Sequence, residues 1–297
     1  MTNRTWSRRE FLKTAAVTPL AAAIGPATRG MAPAQSGAKT RVVLIRDRNA
    51  LDAAGVRNPA VIQKMLDEAV CALLGEKDPV AAWKTLIRPS DIVGIKTNVW
   101  RPIDTGEAVE QALKRRIMDA GVTEDRIGLD DRGVLRNPIF QKATALVNAR
   151  PARTHYWSGM GSCIKNYIMF VPQPWAYHGD ACADLARIWS LPPVMDKTRL
   201  NVLVMLTPLF HSVGPHNFSR DYVWPYSGIL VGRDPVAVDA TGFRILQAKR
   251  LQHFGEDRPL ETSAHHIALA DTRHHLGVSD PGRIDLVRLG WQEDIVI

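Results

Sequence analysis

The sequence predicts an α/β protein whose mostly parallel sheet carries helices on both faces. Short apolar runs, typical of buried strands, alternate along the chain with segments in which apolar residues recur at helical spacing. An Asx-Pro pair, which is a cap residue followed by proline at the first helical position, opens four of the helical segments, at positions 58, 78, 137 and 234. Such alternation of strands and helices favours a parallel sheet that is covered on both sides.

Six strands and six helices are expected from these patterns. The strands are expected at 41–46, 92–95, 126–129, 200–206, 228–231 and 284–289. The helices are expected at 58–75, from 78 onwards, and at 106–121, 137–147, 234–251 and 263–276. Residues 151–199 include Pro172, Pro174, Pro192 and Pro193 and are predicted to form an irregular excursion with one helix near 180–190.

The N-terminal segment predicts export. Residues 7–13, Ser-Arg-Arg-Glu-Phe-Leu-Lys, are similar to the twin-arginine signal of bacteria. An apolar run at 15–24 follows, and Ala32-Pro33-Ala34 offers a cleavage site of small residues. We therefore expect residues 1–34 to be a signal peptide that directs the folded protein through the twin-arginine translocase to the periplasm. Residues 35–297 are then expected to form a single α/β domain, with a division near 150–200 as the alternative.

The charge of the chain gives no support to nucleic-acid binding. The formal net charge is +8, and the predicted signal peptide carries half of it, since that segment holds five basic residues and one acidic residue. The remaining basic residues are scattered, apart from a cluster at 114–116. No later apolar run reaches the roughly 18 residues of a membrane span, so we expect a soluble mature chain without one.

The spacing of the cysteines and the absence of familiar motifs exclude several kinds of chemistry. Cys71, Cys163 and Cys182 form no C-x-x-C pair, so the sequence predicts neither an iron–sulfur cluster nor a cysteine zinc site. An oxidising compartment would permit one disulfide among them, and the pairing is left open. The chain also lacks G-x-S-x-G, H-E-x-x-H, a Walker loop and a dinucleotide glycine fingerprint after its first strand.

Polar side chains collect where predicted strands end, which is the edge at which ligands bind in open α/β sheets. These residues are Lys96, Asn98, Asp130, Lys165, Asn166, His211 and His216. Asp239 joins them because a carboxylate inside an otherwise apolar helix is costly unless it is paired or ligated. Each position also has a purely structural interpretation, as a strand end, a loop or a cap.

A divalent metal is one hypothesis for part of this set. His211 and His216 lie five positions apart on a Gly/Pro loop, and Pro215 rules out the helical i, i+4 spacing of zinc ligands. A loop can still bring two imidazoles together, and Asp239 would then complete the site.

Several segments together resemble domain-of-unknown-function family 362, over about 40–290. They are Ile95-Lys96-Thr97-Asn98, the helix 106–121 leading to 127–131, Ile164-Lys165-Asn166, and G-R-D-P-V-A-V-D at 232–239. The resemblance implies a fold and no particular reaction. Many members of that family carry a ferredoxin-like module with cysteine-bound clusters, which this chain lacks, so we expect no iron–sulfur cluster. Met205 stands where members tend to have an acidic residue, which weakens a metal proposal at that position.

Two functions are left open by the sequence. The first is an exported enzyme that acts on a small anionic metabolite by acid/base or metal-assisted chemistry. Its catalytic candidates are Lys96, Lys165, His216 and Asp239, its substrate-binding candidates are Asn98, Asp130 and Asn166, and its metal candidates are His211, His216 and Asp239. The alternative is a periplasmic ligand- or metal-binding or maturation protein without catalysis. If the enzyme hypothesis is right, Lys165→Ala and Asp239→Ala should abolish activity with little change in melting temperature.

Overall fold

An eight-stranded sheet runs through the residues that the computed structural model describes, 39–256 and 258–297. The strands are β1 (Thr40–Arg46), β2 (Val93–Lys96), β3 (Ile127–Asp130), β4 (Ala145–His155), β5 (Gly159–Gly161), β6 (Thr198–Leu209), β7 (Gly228–Gly232) and β8 (Ile284–Gly290). Their order in the sheet is β3-β2-β4-β6-β7-β1-β8, and β5 pairs with β4 outside this path. The predicted signal peptide lies outside the described residues.

The sheet is mixed, and most of its neighbouring strands are parallel. β2 pairs in parallel with β3 and with β4, β4 with β6, and β1 with β8. β7 is antiparallel to both of its neighbours, β6 and β1, because the chain turns back after β6 without a crossover helix. The predicted α/β class with a mostly parallel sheet is confirmed.

Five of the eight helices begin within one residue of the predicted position, those that start at 59, 79, 107, 138 and 235. They are α1 (Pro59–Leu74), α2 (Pro79–Leu86), α3 (Glu107–Asp119), α4 (Pro138–Lys142), α5 (Cys163–Asn166), α6 (Gly179–Cys182), α7 (Pro235–Phe254) and α8 (His266–Thr272). Asn58, Asp78, Asn137 and Asp234 each accept a backbone N–H from the helix that they open. All four Asx-Pro helix starts are confirmed, because a cap is formed within the first turn of the chain that follows it.

Apolar side chains cover both faces of the sheet. α1, α2 and α3 pack on one face, where Ile62, Trp83 and Leu113 are fully buried. α5, α7 and α8 pack on the other face, through residues such as Ile164 and Val238. Burying side chains of this size stabilises a fold by about 1.5–3 kcal/mol each. The two layers therefore hold the sheet between them and leave its strand ends free to carry polar groups.

The helix predicted over 137–147 is wrong beyond Lys142. α4 ends there, and the chain enters β4 at Ala145, a strand of 11 residues that are all buried. A strand between two parallel neighbours is covered on both faces and so lacks the simple alternation of a half-exposed strand. The arginines and the proline within it obscured the strand pattern further.

The irregular excursion starts later than the predicted 151–199, since residues 151–155 complete β4. After β5 it consists of α5, α6 and short 3-10 turns such as Leu185–Ser190, which lie near the helix expected at 180–190. The helix expected at 263–276 is shorter and spans His266–Thr272. In the described part of the chain, no helix is long and apolar enough to cross a membrane.

Candidate functional site

The candidate residues meet at the carboxyl ends of β2 and β4, which are neighbours in the sheet. The chain leaves β2 towards β3 on one side, and it leaves β4 towards β6 on the other. Ligands in open α/β sheets bind where the connections of neighbouring strands diverge in this way, and we refer to this group of side chains, which are largely buried, as the crevice. Lys96 ends β2, while Arg150 and Arg153 lie in the last part of β4. Both strands therefore deliver cations to the same crevice.

A buried ion pair joins the ends of β2 and β3. Lys96 Nζ donates to Asp131 Oδ1 at 2.6 Å, to the carbonyl oxygen of Thr97 at 2.8 Å and to Asn166 Oδ1 at 3.3 Å. Burial lowers the pKa of Lys96 to about 8. Burial acts to raise the pKa of Asp131, but the charge and the hydrogen bond of Lys96 outweigh it and hold that pKa below its usual value. Lys96 is thus a fixed positive charge with three acceptors for its three protons.

Three buried asparagines connect this ion pair to β4 and β6. Asn166 Nδ2 donates to Asn148 Oδ1 at 2.8 Å, and Asn148 Nδ2 donates to Asn201 Oδ1 at 2.9 Å and to the carbonyl oxygen of Cys163 at 3.0 Å. Asn201 Nδ2 donates in turn to the carbonyl oxygen of Arg233 at 3.0 Å. A satisfied polar network in a low-dielectric interior fixes the positions of its members. The network therefore holds α5 in place against the sheet.

Asp239, in α7, holds the beginning of α5. Its buried carboxylate accepts from the backbone N–H of Cys163 at 2.8 Å through Oδ1, and from Ser162 Oγ at 2.6 Å and the N–H of Ile164 at 2.8 Å through Oδ2. Burial raises the pKa of Asp239 to about 6, although these hydrogen bonds act to lower it. Both oxygens are engaged, so Asp239 acts on the site through the helix that carries Lys165.

Two arginines of β4 lie in the crevice without an acidic partner. Arg150 and Arg153 are 4% and 3% exposed, and no carboxylate of the described chain forms an ion pair with either. Within the same residues, Arg150 Nε and Arg153 Nε and Nη1 have no hydrogen-bond partner. Arg153 Nη2 donates to Asn98 Oδ1 at 3.3 Å, and the guanidinium lies over the Trp100 ring at 4.3 Å. Burial lowers the pKa of both arginines.

Lys165 is a further cation of the crevice. It is 2% exposed, and its Nζ donates to Cys182 Sγ at 3.4 Å, while the thiol donates to the carbonyl oxygen of Trp157 at 3.3 Å. Burial lowers the pKa of Lys165 to about 8, and the charges of Arg150 and Arg153 act in the same direction. Burial raises the pKa of Cys182, so the thiol stays protonated at neutral pH. Cys182 is a free thiol, as are the other two cysteines.

Neutral histidines surround these cations. Burial lowers the pKa of His178 to about 4 and that of His266 to about 3, and it holds the pKa of His155 well below its usual value. The charge of Lys165 acts in the same direction on all three imidazoles. Because the histidines are neutral and the arginines are charged, the crevice has a positive potential that attracts anions.

Aromatic side chains form the exposed edge of the crevice. Trp157 is 38% exposed and stacks on His178, with 4.1 Å between ring centroids. The rings of Tyr156 and Trp157 both contact His216, at 4.6 Å and 4.8 Å. Gly161 leaves room for the guanidinium of Arg150, since a Cβ at that position would lie 2.9 Å from Nη2 of Arg150. Exposed rings beside buried cations suit a ligand with an apolar part and an anionic end.

The structure brings most of the predicted residues to the crevice and leaves two apart, Asp130 and His211. Those in it or directly beneath it are Lys96, Asn98, Lys165, Asn166 and Asp239, and His216 lies at its edge. The carboxylate of Asp130 instead accepts from the N–H of Gly133 at 2.7 Å and from Asn137 Nδ2 at 3.1 Å. Asp130 therefore closes the loop after β3, and its contacts are structural.

The three predicted metal ligands do not come together. The ring of His211 packs against Phe254 at 4.8 Å, His216 lies at the aromatic edge, and the carboxylate of Asp239 binds the start of α5. Among residues 39–256 and 258–297, no group of three or more His, Cys, Asp or Glu side chains is placed to hold a metal ion. The metal hypothesis stays a prediction that this geometry does not support.

The crevice lies largely within a segment that resembles a known family. Residues 131–244 match the family model described as Domain of unknown function (DUF362). This DUF362 range contains β4, α5 and the first half of α7, and with them Arg150, Lys165 and Asp239. The contribution of β2, including Lys96, precedes it. No curated protein and no solved structure matches the chain.

Sequence patterns miss Arg150, Arg153 and His155, although the DUF362 range includes all three. Because the sequence predicts a helix up to residue 147, it predicts no strand over 150–155. The three side chains therefore could not be assigned to the end of a strand. The strand signal that was present is short: apolar and polar residues alternate over 147–150 only, and the rest of the 11-residue strand lacks this pattern. Whether these arginines have acidic partners depends on contacts that no local pattern shows.

Acid is expected to destabilise the protein through its buried neutral histidines. In the unfolded chain histidine titrates near 6.5, whereas the pKa of His266 in the folded protein is about 3. The unfolded state binds the proton more readily, so this contribution to stability is complete above pH 6.5 and is lost as the pH falls from 6.5 towards 3. The slope for one such histidine is about 1.4 kcal/mol per pH unit.

His266→Leu should therefore lose less stability than the wild type between pH 6 and pH 4, as measured by urea unfolding at each pH. The control is His253→Leu, which removes an exposed histidine from α7 and should leave the slope as it is in the wild type. A wild-type slope in the His266→Leu variant would show that another group is responsible.

Proposed function

We propose that the protein is an enzyme that acts on a small anionic metabolite held in the crevice between β2 and β4. One observation carries the proposal, namely that Arg150 and Arg153 are buried with guanidinium N–H groups that have no partner in the described chain. A buried cation without a counter-charge is costly. A carboxylate or phosphate would supply both the charge and the acceptors, and the planar fork of arginine binds either group through two hydrogen bonds.

The charge balance of the crevice supports the same proposal. Four cationic side chains and two carboxylates lie in it or beside it. The carboxylates are already engaged, Asp131 with Lys96 and Asp239 with the start of α5. They leave an excess of two positive charges, which fits a ligand with one or two negative charges.

Lys165 is the group best placed for acid–base chemistry. Its pKa of about 8 lies close to neutral pH, and a general acid or base is most effective when its pKa is near the working pH. Lys96 has acceptors for all its protons, so it contributes charge rather than proton transfer. Asp239 positions α5, and Asn98 orients the guanidinium of Arg153.

The proposal includes export of the enzyme to the periplasm. The segment S-R-R-E-F-L-K at 7–13 supports it, together with the apolar run and the small-residue cleavage site that follow. A periplasmic binding protein without turnover is the second candidate. The exposed aromatic edge favours it, because stacked rings hold a ligand without reacting with it.

Anion-dependent melting of the full-length chain tests the proposal. Inorganic phosphate, oxalate and pyruvate are added separately, and at least one should stabilise the wild type, by about 2.7 kcal/mol at a hundredfold excess over its Kd. Arg153→Met should bind that anion about tenfold or more weakly, because a charge-assisted hydrogen bond is lost. Without anion, Arg153→Met should melt no lower than the wild type, since the change removes an uncompensated buried charge.

The control is Arg41→Met, which removes a half-exposed arginine paired with Asp285 and should leave the anion response intact. An Arg153→Met variant that melts well below the wild type and responds fully to the anions would mean that Arg153 is structural, and the proposal would be wrong.

Measuring turnover distinguishes the enzyme from the binding protein. An enzyme should deplete an anionic component of a metabolite extract, and Lys165→Met should not, whereas a binding protein retains the component unchanged.

A further inference from the structure

We propose that Lys165 is an amine nucleophile and that the substrate is an oxo acid, whose carbonyl carbon forms an imine with Nζ while its carboxylate binds Arg150 and Arg153. This inference rests on the function proposed above and names the substrate class of the same site. A contrast between the two buried lysines of the crevice carries it.

Lys96 and Lys165 differ in what their nitrogens bind. Lys96 Nζ donates to three oxygen atoms within 3.3 Å, one of them a carboxylate oxygen of Asp131, and this arrangement fits an ammonium ion with three protons. Lys165 Nζ has one partner in the described chain, Cys182 Sγ at 3.4 Å, and thiol sulfur is a weak acceptor. A buried nitrogen with so few acceptors favours the neutral amine, which has the lone pair that a nucleophile needs.

The electrostatic surroundings act in the same direction. Burial lowers the pKa of Lys165 to about 8, and the charges of Arg150 and Arg153 lower it as well, against the opposing effect of Cys182. About one tenth of the amine is then unprotonated at pH 7, against roughly one part in a few thousand for an ordinary lysine. Lysines that form imines with carbonyl substrates are activated in this way, by desolvation or by a neighbouring cation.

Cys182 keeps its place beside Lys165 through an unusual backbone. Asp180, Ala181 and Cys182 have φ angles of 46°, 48° and 66°, in the left-handed region that disfavours side chains with a Cβ, and such strain concentrates at functional sites. The thiol donates its own proton to the carbonyl oxygen of Trp157. Its contact with Nζ acts to raise the pKa of Lys165, but burial outweighs this effect.

An oxo acid satisfies both halves of the crevice. Its carboxylate supplies the counter-charge that Arg150 and Arg153 lack, and its carbonyl supplies the electrophile for Lys165. The nitrogen lone pair forms a bond to the carbonyl carbon while the π pair of the carbonyl moves to oxygen. The oxygen then takes up the two amine protons and leaves as water, and the nitrogen pair forms the C=N bond. No oxidant, reductant or co-reactant is needed.

Reductive trapping tests this assignment on the full-length chain. The protein is incubated with pyruvate and cyanoborohydride, digested, and analysed by mass spectrometry. We expect a reduced pyruvate adduct at Lys165 that forms about tenfold or more faster than at the exposed Lys64, because more of the amine is unprotonated. Acetone, a ketone without a carboxylate, should label Lys165 about tenfold more slowly than pyruvate, since it forms no charge-assisted bond to the arginines.

Matched variants complete the test. Lys165→Arg keeps the positive charge and should give no adduct in this segment, while Lys64→Arg should leave labelling at Lys165 as it is in the wild type. Circular dichroism checks the fold of Lys165→Arg, and Lys165→Met replaces it if arginine does not fit. Adducts on exposed lysines without one at Lys165 would overturn the inference. If pyruvate nevertheless stabilises the wild type and not Arg153→Met, the site binds anions as proposed and only the imine inference is wrong. If pyruvate, phosphate and oxalate all fail to stabilise the wild type, the proposed function falls too.

Discussion

Asp239→Ala should lower the free energy of unfolding by about 3–5 kcal/mol. The carboxylate is fully buried and accepts hydrogen bonds from one hydroxyl and two backbone N–H groups at the start of α5. Alanine leaves these three donors buried without an acceptor, and each such donor costs about 1–3 kcal/mol. The pattern of a carboxylate in an apolar helix predicts a catalytic group whose loss spares the fold, whereas the contacts lead us to expect a large loss of stability.

Urea unfolding of matched aspartate variants measures this effect. Asp78→Ala removes an exposed cap with one backbone hydrogen bond to its helix, and it should cost only about 1 kcal/mol. Asp239→Asn keeps one acceptor oxygen and should lose less stability than Asp239→Ala. Hydrogen exchange should also become faster over 163–166, because α5 loses its anchor. An Asp239→Ala protein with wild-type stability would show that these hydrogen bonds contribute little to the free energy of unfolding. Asp239 would then again be a candidate for a catalytic residue.

Breaking the Lys96–Asp131 pair should have an effect of similar size. The two side chains are nearly inaccessible and 2.6 Å apart, so removing either one leaves a buried charge without its partner. We expect Lys96→Met and Asp131→Asn each to cost about 3–5 kcal/mol. The double variant should cost much less than the sum of the two, because no charge is then left unpaired.

An exposed ion pair supplies the control for these single and double variants. Arg41 and Asp285 are 2.9 Å apart with side chains that are 46% and 43% exposed. Removing either should cost less than about 1 kcal/mol, since water screens the charges in both states. Additive losses at Lys96 and Asp131 would contradict a direct coupling between them and would assign the losses to the asparagine network that Lys96 also contacts.

Parts of the site could be predicted because they follow from position alone. Lys96 and Asn98 come directly after an apolar strand, and the carboxyl end of a parallel strand is where an α/β sheet binds ligands. The crevice contains both residues, and it contains Lys165 and Asn166 as well. Those two reach it from a short helix and not from a strand end, so their position agrees with the prediction for a different reason.

In the fold too, features that depend on nearby residues could be predicted, whereas features that depend on distant residues could not. The four Asx-Pro helix starts are confirmed because each cap binds N–H groups two or three residues away. β4 was missed because both of its faces are buried in the apolar layers formed by distant parts of the chain. A segment buried in this way carries little periodic signal of its own.

The sequence by itself determined the α/β class, the positions at which the long helices begin and the collection of polar residues at strand ends. These features depend on backbone dihedrals, caps and apolar spacing within a few residues. Only the tertiary structure decided which charges are paired. Lys96 finds Asp131 across 35 positions and Asp239 finds Ser162 across 77, whereas Arg150 and Arg153 find no carboxylate in the described chain. Electrostatic energy depends on distance in space and on burial, and a linear pattern of residues contains neither.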